Sequence, residues 1–313
     1  MSATVRIGTC SWADESLVKH FYPPGVKSAE ERLRYYSERF DTVEVDSTYY
    51  TIPAREVVAR WAERTPDDFV FHVKAFGLMT RHPVQAKQLP PDLREGMPID
   101  HRGRVDRPPR ELRGAVFERF HAALAPLRET GKLGGILLQL PSYVVRKPAS
   151  YDYLAWAKEQ VRGDRMLVEF RHRSWLEEEA RAEVLAFLEE LGATLVIVDA
   201  PKTEAKNLVP TVLALTSSIL YVRFHGRNAA TWNARGGSAA TRFDYFYTRE
   251  ELAGWVDPLR ELAGAAEEAY AMLNNNNRGV PPGVSDPHRI EAQAAWNAEE
   301  LRTLLAEADV PVS

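Results

Sequence analysis

The chain has 313 residues, 45% hydrophobic and 27% charged, with a formal net charge of −4. That composition is ordinary for a globular protein with a large core, and the acidic balance argues against a general electrostatic grip on nucleic acid. A lone cysteine, Cys10, excludes an internal disulfide and any multi-cysteine metal site. No apolar run approaches a membrane span, and the N-terminus has no signal-peptide layout, so a cytoplasmic protein is expected.

Eight segments read as strands, at 5–12, 42–50, 69–75, 135–141, 166–171, 194–199, 219–226 and 268–274. Amphipathic helical patterns fall between most of them, including 29–40, 54–64, 177–191 and 249–262. Strands alternating with helices imply a parallel sheet with right-handed crossovers. Eight of them fit an α/β fold of the closed (β/α)8 TIM type, and no Gly-rich phosphate fingerprint follows the first strand to favour an open dinucleotide-binding sheet. The expected organisation is one barrel domain over 1–313 with a long insertion between strands 3 and 4, at about 76–113. Its proline-rich, charged part, 89–113, reads equally as a lid over the barrel mouth or a surface excursion, followed by a helix over 111–128.

Candidate site residues follow from strand phase, because inward residues at the C-terminal ends of barrel strands build the active sites of this fold. Glu44, Asp46 and Thr48 share a face of the second strand, with Tyr49 beyond it, and His72 and Lys74 share a face of the third. Gln139 ends the fourth strand, Glu169 and Arg171 the fifth, and Asp199, in phase with Ile197, the sixth. Arg223 and His225 alternate with Val222 and Phe224 on the seventh, and Asn274 and Asn275 end the eighth. On the first strand either Thr9 and Ser11 or Gly8 and Cys10 face inward; Ser11, Trp12 and Trp175 join the substrate-binding candidates. His82 and His101 fall in the polar insertion and read as solvated.

Polar residues in one phase at the same end of six strands point to a ligand site, since so many buried charges in one place usually serve binding or catalysis. Arg171 and Arg223 suit an anionic group, Glu169 or Asp46 a general base, and His225 or Lys74 a general acid, with Glu44 in the same set. The carboxylates with nearby aromatics also suit a sugar. Glu44, Asp46, Glu169, Asp199 and His225 could ligate Mg or Mn, but the interleaved Lys and Arg compete for them, so no metal residue is assigned. The favoured reading is a hydrolase, lyase or isomerase acting on a small polar substrate, anionic or sugar-like. Its rivals are a non-catalytic binding barrel, a metal-dependent enzyme and, least favoured, a nucleic-acid processing barrel using Arg102, Arg104, Arg107, Arg110 and Arg113. Replacing Glu169, Arg223 or His225 with Ala is expected to leave a folded barrel with an impaired site.

Several segments carry a family resemblance. They are Ile7-Gly8-Thr9-Cys10-Ser11-Trp12, Phe21-Tyr22-Pro23, Thr42-Val43-Glu44-Val45-Asp46-Ser47-Thr48-Tyr49-Tyr50, Phe71-His72-Val73-Lys74, Leu138-Gln139-Leu140-Pro141, Glu169-Phe170-Arg171-His172 and Tyr221-Val222-Arg223-Phe224-His225-Gly226. As an ordered set over nearly the whole chain, they resemble domain-of-unknown-function family 72, the YecE-like proteins. The resemblance implies a TIM-like barrel and no particular activity. Asp46 stands where that family usually has Asn, which adds a negative charge to the second-strand motif.

Overall fold

The computed structural model describes residues 2–234 and 239–313. Eight parallel strands close into a barrel in sequence order: β1 Val5–Thr9, β2 Thr42–Val45, β3 Val70–Lys74, β4 Leu133–Gln139, β5 Met166–Glu169, β6 Ala193–Asp199, β7 Ile219–Phe224 and β8 Glu268–Leu273. The last strand returns to the first, pairing Val5 with Ala269 through Thr9 with Leu273. At Gly8 the backbones of β1 and β2 approach so closely that a Cβ would lie 2.3 Å from the Thr42 carbonyl oxygen.

The outer layer contains α1 Ala29–Ser37, α2 Arg55–Glu63, α3 Arg110–Ala123, α4 Pro148–Gln160, α5 Glu178–Leu191, α6 Val256–Ala265 and α7 Gln293–Glu307, besides shorter helical turns. Ser28 and Glu31 form a reciprocal capping box at the start of α1, and α5 stops at Gly192, whose φ of 61° an L side chain rarely adopts. Two expected helices are interrupted. The pattern at 111–128 divides at Leu124, where Pro126 can supply no backbone N–H, and that at 249–262 divides around Gly254 and Trp255 ahead of Pro258.

The two faces of the sheet bury different cores. Val43, Val45, Phe71, Val73, Val168, Ile197, Val222, Phe224 and Leu273 pack outward against the helices. Cys10, Leu137, Leu167, Val196, Val198, Tyr221, Tyr270 and Met272 fill the barrel interior. The alternation on β2, β3, β5 and β7 therefore places Glu44, His72, Glu169, Tyr221 and Arg223 inside.

The insertion after β3 is ordered. Val84–Gln85 pairs antiparallel with Arg104–Val105, and a short helix, Pro91–Arg94, meets α3 through an Asp92–Arg119 ion pair. Gln88 donates to the Tyr50 carbonyl at 3.0 Å, which ties the excursion to the loop after β2. Its arginines do not form one basic face: Arg104 pairs with Asp100, Arg107 with Asp106, and Arg113 is buried over the Tyr153 ring. Among the described residues no helix is long and apolar enough to cross a membrane.

Candidate functional site

The C-terminal ends of the strands place a buried ion network beneath an open cavity. Arg223, on β7, is fully buried and donates through Nη2 to Glu44 on β2 at 2.6 Å and through Nη1 to Glu169 on β5. Tyr221, one inward step earlier on β7, donates its hydroxyl to the other Glu44 oxygen at 2.9 Å. Glu169 also accepts from Gln139 at 2.8 Å and from Arg171 at 3.2 Å. His225 lies with Nε2 3.0 Å from Glu169 and Nδ1 2.7 Å from the Asn274 amide. Cys10 sits 3.6 Å from Arg223, which assigns the inward phase of β1 to Gly8 and Cys10; Thr9 turns outward to the Tyr36 hydroxyl.

These contacts separate electrostatically the carboxyls of Glu44, on β2, and Asp46, just beyond its end. Burial pushes Glu44 up to about 7; Arg223 opposes the rise and the neighbouring Asp46 adds to it. Desolvation acts upward on Asp46 too, but Lys74, 3.5 Å away, and Arg223, 3.8 Å away, override it and hold this carboxyl below the usual range. Glu169 is held well below the carboxylate range because Arg223, His225 and Arg171 together outweigh its burial. Burial lowers His225 to about 4 against the pull of Glu169, so the ring is neutral. A neutral ring facing an ionised carboxylate at Nε2 must carry its hydrogen there, and Nδ1 then accepts from Asn274.

Above this network lies a cavity of about 370 Å³. Asp46, Tyr49, Lys74, Gln139, Arg171 and Asn274 line it, as the sequence led us to expect, joined by His82, Tyr143, Arg242 and Phe243. Its wall carries three cations, Lys74, Arg171 and Arg242, against the single carboxylate of Asp46 among the described residues. Arg171 lies over the Trp232 ring at 5.4 Å and Lys74 over the Tyr49 ring at 5.2 Å, so both heads are set by aromatic faces as well as by their acidic partners. Phe243 stacks on His225 with centroids 5.5 Å apart.

Other candidates lie elsewhere. Asp199 follows Ile197 onto the outer face, because Val196 and Val198 are the inward residues of β6. Its carboxylate accepts from Arg227 at 2.9 and 2.6 Å, Tyr247 at 2.8 Å and Trp255 at 2.8 Å, which makes it a hub between the sheet and the loops above it. His72 is inside the barrel below the ion network, edge-on to Tyr221 and Tyr270, and both ring nitrogens are without hydrogen-bond partners. Trp12 packs outward on Trp61 and Phe71; Trp175 stacks on Phe170 and donates to the Val144 carbonyl at 2.8 Å. The Ser11 hydroxyl accepts from Ala13 in a local turn. Thr48 belongs to a turn rather than to β2, and its hydroxyl bonds the Val45 and Lys74 carbonyls at 2.8 and 2.6 Å, so it fixes the strand end that carries Lys74. Asn275 donates to Tyr245 and Asn297, away from the cavity.

Of the two readings of 89–113, a lid over the mouth or a surface excursion, the lining agrees with the second: none of 89–113 lines the cavity, and the insertion contributes His82 from its first turn. His82, read from sequence as solvated, is largely enclosed, and burial with the Lys74 and Arg171 charges lowers it to about 4. Arg242, the last residue of a short helix, Ala239–Arg242, and Phe243 come from the long connection after β7, where no apolar period announces them. Among the described residues no group of three His, Cys, Asp or Glu is disposed to hold a metal ion; the carboxylates weighed for that role face Arg or Lys instead.

Comparison with known proteins accords with the fold and with the motifs. The family model "Protein of unknown function DUF72" matches residues 6–310. The UPF0759 protein YunF of Bacillus subtilis is 31% identical over 279 residues, covering 88% of this chain and 90% of that protein. The UPF0759 protein YecE of Escherichia coli K12 is 39% identical over 70 residues, 22% of this chain and 23% of its own length. A DUF72 family protein from Thermotoga maritima superposes with a TM-score of 0.73 at 30% identity, covering 97% of this chain and 99% of that one. A DUF72 family protein from Enterococcus faecalis gives 0.75 at 26% identity, covering 96% and 95%. The chain belongs to the DUF72 family of TIM-like barrels.

Proposed function

We propose that this barrel is an enzyme that binds a small anionic substrate at its C-terminal mouth and moves a proton on it with the Glu44–Asp46 pair. The observation that carries the reading is the unequal placement of these two carboxyls: Glu44 is fully buried against Arg223 and Tyr221, while Asp46 faces the cavity with Lys74 3.5 Å away, so burial pushes Glu44 up and the cations hold Asp46 down. Neighbouring titratable groups whose environments drive their pKa values apart are the usual arrangement for acid–base work near neutral pH.

In this scheme Arg171 and Arg242 hold the substrate's anionic group. Asp46 accepts the proton that leaves the substrate, and Lys74, 3.5 Å from Asp46, stabilises the negative charge that develops. Glu44, protonated near neutrality, supplies or receives a proton behind Asp46. Glu169, Arg223 and His225 are fully buried and act as positioning residues, not as groups that touch substrate. A site volume of this order fits a metabolite-sized molecule.

The test is deuterium wash-in. The protein is incubated in D2O with a panel of small hydroxy acids and sugar phosphates, and each is followed by NMR. The expected result is exchange or conversion of at least one compound by the wild type and none by Asp46→Asn. Compounds that bind without exchange or conversion, equally in wild type and variant, would replace the enzyme reading with that of a binding barrel.

A further inference from the structure

We infer that the cavity selects a polyhydroxylated anion, and that His82 reads one of its hydroxyls through Nε2. The inference deepens the anion-binding reading above and rests on it. Its starting point is a hydrogen-bond chain in the turn after β3. Thr80 donates its hydroxyl hydrogen to the Gly77 carbonyl at 3.0 Å, and His82 Nδ1 lies 2.8 Å from the same hydroxyl oxygen. With its hydrogen committed to Gly77, that oxygen can only accept, so Nδ1 carries the imidazole hydrogen. Nε2 is therefore a bare acceptor, without a partner among the described residues, on a residue that lines the cavity. Tyr49, edge-on to the ring at 5.1 Å, holds its plane.

Two more acceptors are created by the ion network. An ionised Glu169 cannot donate, so the Gln139 amide must present its nitrogen to it, which leaves Oε1 without a partner among the described residues. Asn274 must present its nitrogen to His225 Nδ1 for the tautomer reason given above, which leaves Oδ1 without a partner among the described residues. Both residues line the cavity. Together with Asp46, the wall thus offers acceptors from four side chains beside the donors of Lys74, Arg171 and Arg242. A bare anion satisfies only the cations. Satisfying the acceptors takes hydroxyl hydrogens on the same molecule, as in a sugar phosphate or a sugar acid. Leaving such acceptors unpaired under a ligand lacking hydroxyls is the penalty by which a site of this kind discriminates.

Titration calorimetry on the full chain tests this with three probes: inorganic phosphate, glucose 6-phosphate and hexyl phosphate. Glucose 6-phosphate is expected to bind about tenfold or more tightly than hexyl phosphate. His82→Ala should abolish most of that preference and leave inorganic phosphate binding unchanged, while His82→Gln, which keeps an acceptor, should retain part of it. Ring-nitrogen NMR should show His82 Nε2 unprotonated at neutral pH, and Thr80→Val should mix the tautomers and weaken glucose 6-phosphate alone. Equal wild-type affinity for the two organic phosphates, or equal loss of all three probes in His82→Ala, would overturn the inference while the anion site stands. Failure of every phosphate to bind would overturn the anion reading and this inference with it.

Discussion

Nη2 of Arg223 lies 2.6 Å from Oε1 of Glu44, and neither side chain has any solvent exposure. The other Nη of the same guanidinium reaches Glu169, so one side chain of β7 ties β2 to β5 through the barrel interior. The sequence led us to expect that alanine at Glu169, Arg223 or His225 leaves a folded barrel with an impaired site; the buried pairing adds a stability cost to that expectation. Arg223→Ala strands two buried carboxyls and should cost about 3–5 kcal/mol of folding stability. Urea denaturation measures it, and a loss below about 1 kcal/mol would mean that the network is not closed in solution.

Asp46→Asn should also move its neighbour. Asp46 is one of the groups that raise Glu44, although burial is the larger cause, so the variant's Glu44 should titrate lower than about 7 without returning to the ordinary carboxylate value. Carboxyl-region infrared titration reads this directly. An unchanged Glu44 would show that the two carboxyls do not interact.

Stability should fall on acidification through the histidines. His72, His82 and His225 are lowered to about 3, 4 and 4, each mainly by burial, whereas the unfolded chain takes up these protons near 6.5. Their contribution is complete above 6.5 and is lost as the pH falls toward 4. Glu44 has the opposite sign: raised from 4.5 to about 7, it favours the fold fully below 4.5 and loses that contribution as the pH rises from 4.5 through 7. Three groups outweigh one, so denaturation midpoints should drop between pH 6.5 and 4.5, and Glu44→Gln, which removes the opposing contribution in that window, should steepen the drop. A midpoint independent of pH across that window would contradict neutral buried imidazoles.

Gly134 marks a close contact at the lower end of the barrel. A Cβ there would lie 2.5 Å from Val70 Cγ1 and 2.6 Å from His72 Cε1, inside a packed interior. Gly134→Ala should therefore destabilise by about 1–3 kcal/mol, against the few tenths typical of an unstrained exposed site. Pairing it with His72→Ala, which clears the contacted ring, should recover part of the loss. No recovery in the double variant would place the strain at Val70.

Asp199→Asn separates structure from site. The variant keeps the size but loses the charge that Arg227, Tyr247 and Trp255 surround, so about 2–4 kcal/mol of stability should go. Phosphate affinity in the mouth should stay at the wild-type value. Loss of affinity with stability unchanged would return Asp199 to the site.

The barrel was legible in the sequence because strand and helix periods leave an imprint wherever one face is apolar and the other is not. That imprint also gave the inward phase of Glu44, Asp46, Lys74, Glu169, Arg223 and His225, whose neighbours on the outer face are Val or Phe. It failed on β6, Ala193–Asp199, where both faces are buried, both are apolar, and alternation carries no phase. Asp199 was misplaced for that reason. Beyond the strand ends no period survives, so whether Trp12, Trp175 and Asn275 turned to the mouth or to the helices depended on packing partners more than 20 residues away, such as Trp61, Val144 and Asn297. The tertiary structure alone decided that one arginine would neutralise carboxylates from two strands, that His82 and Arg242 would enter from aperiodic connections, and which hydrogen each ring and amide presents to the cavity. Those are consequences of closing the sheet, which brings side chains as much as 213 positions apart within hydrogen-bond reach.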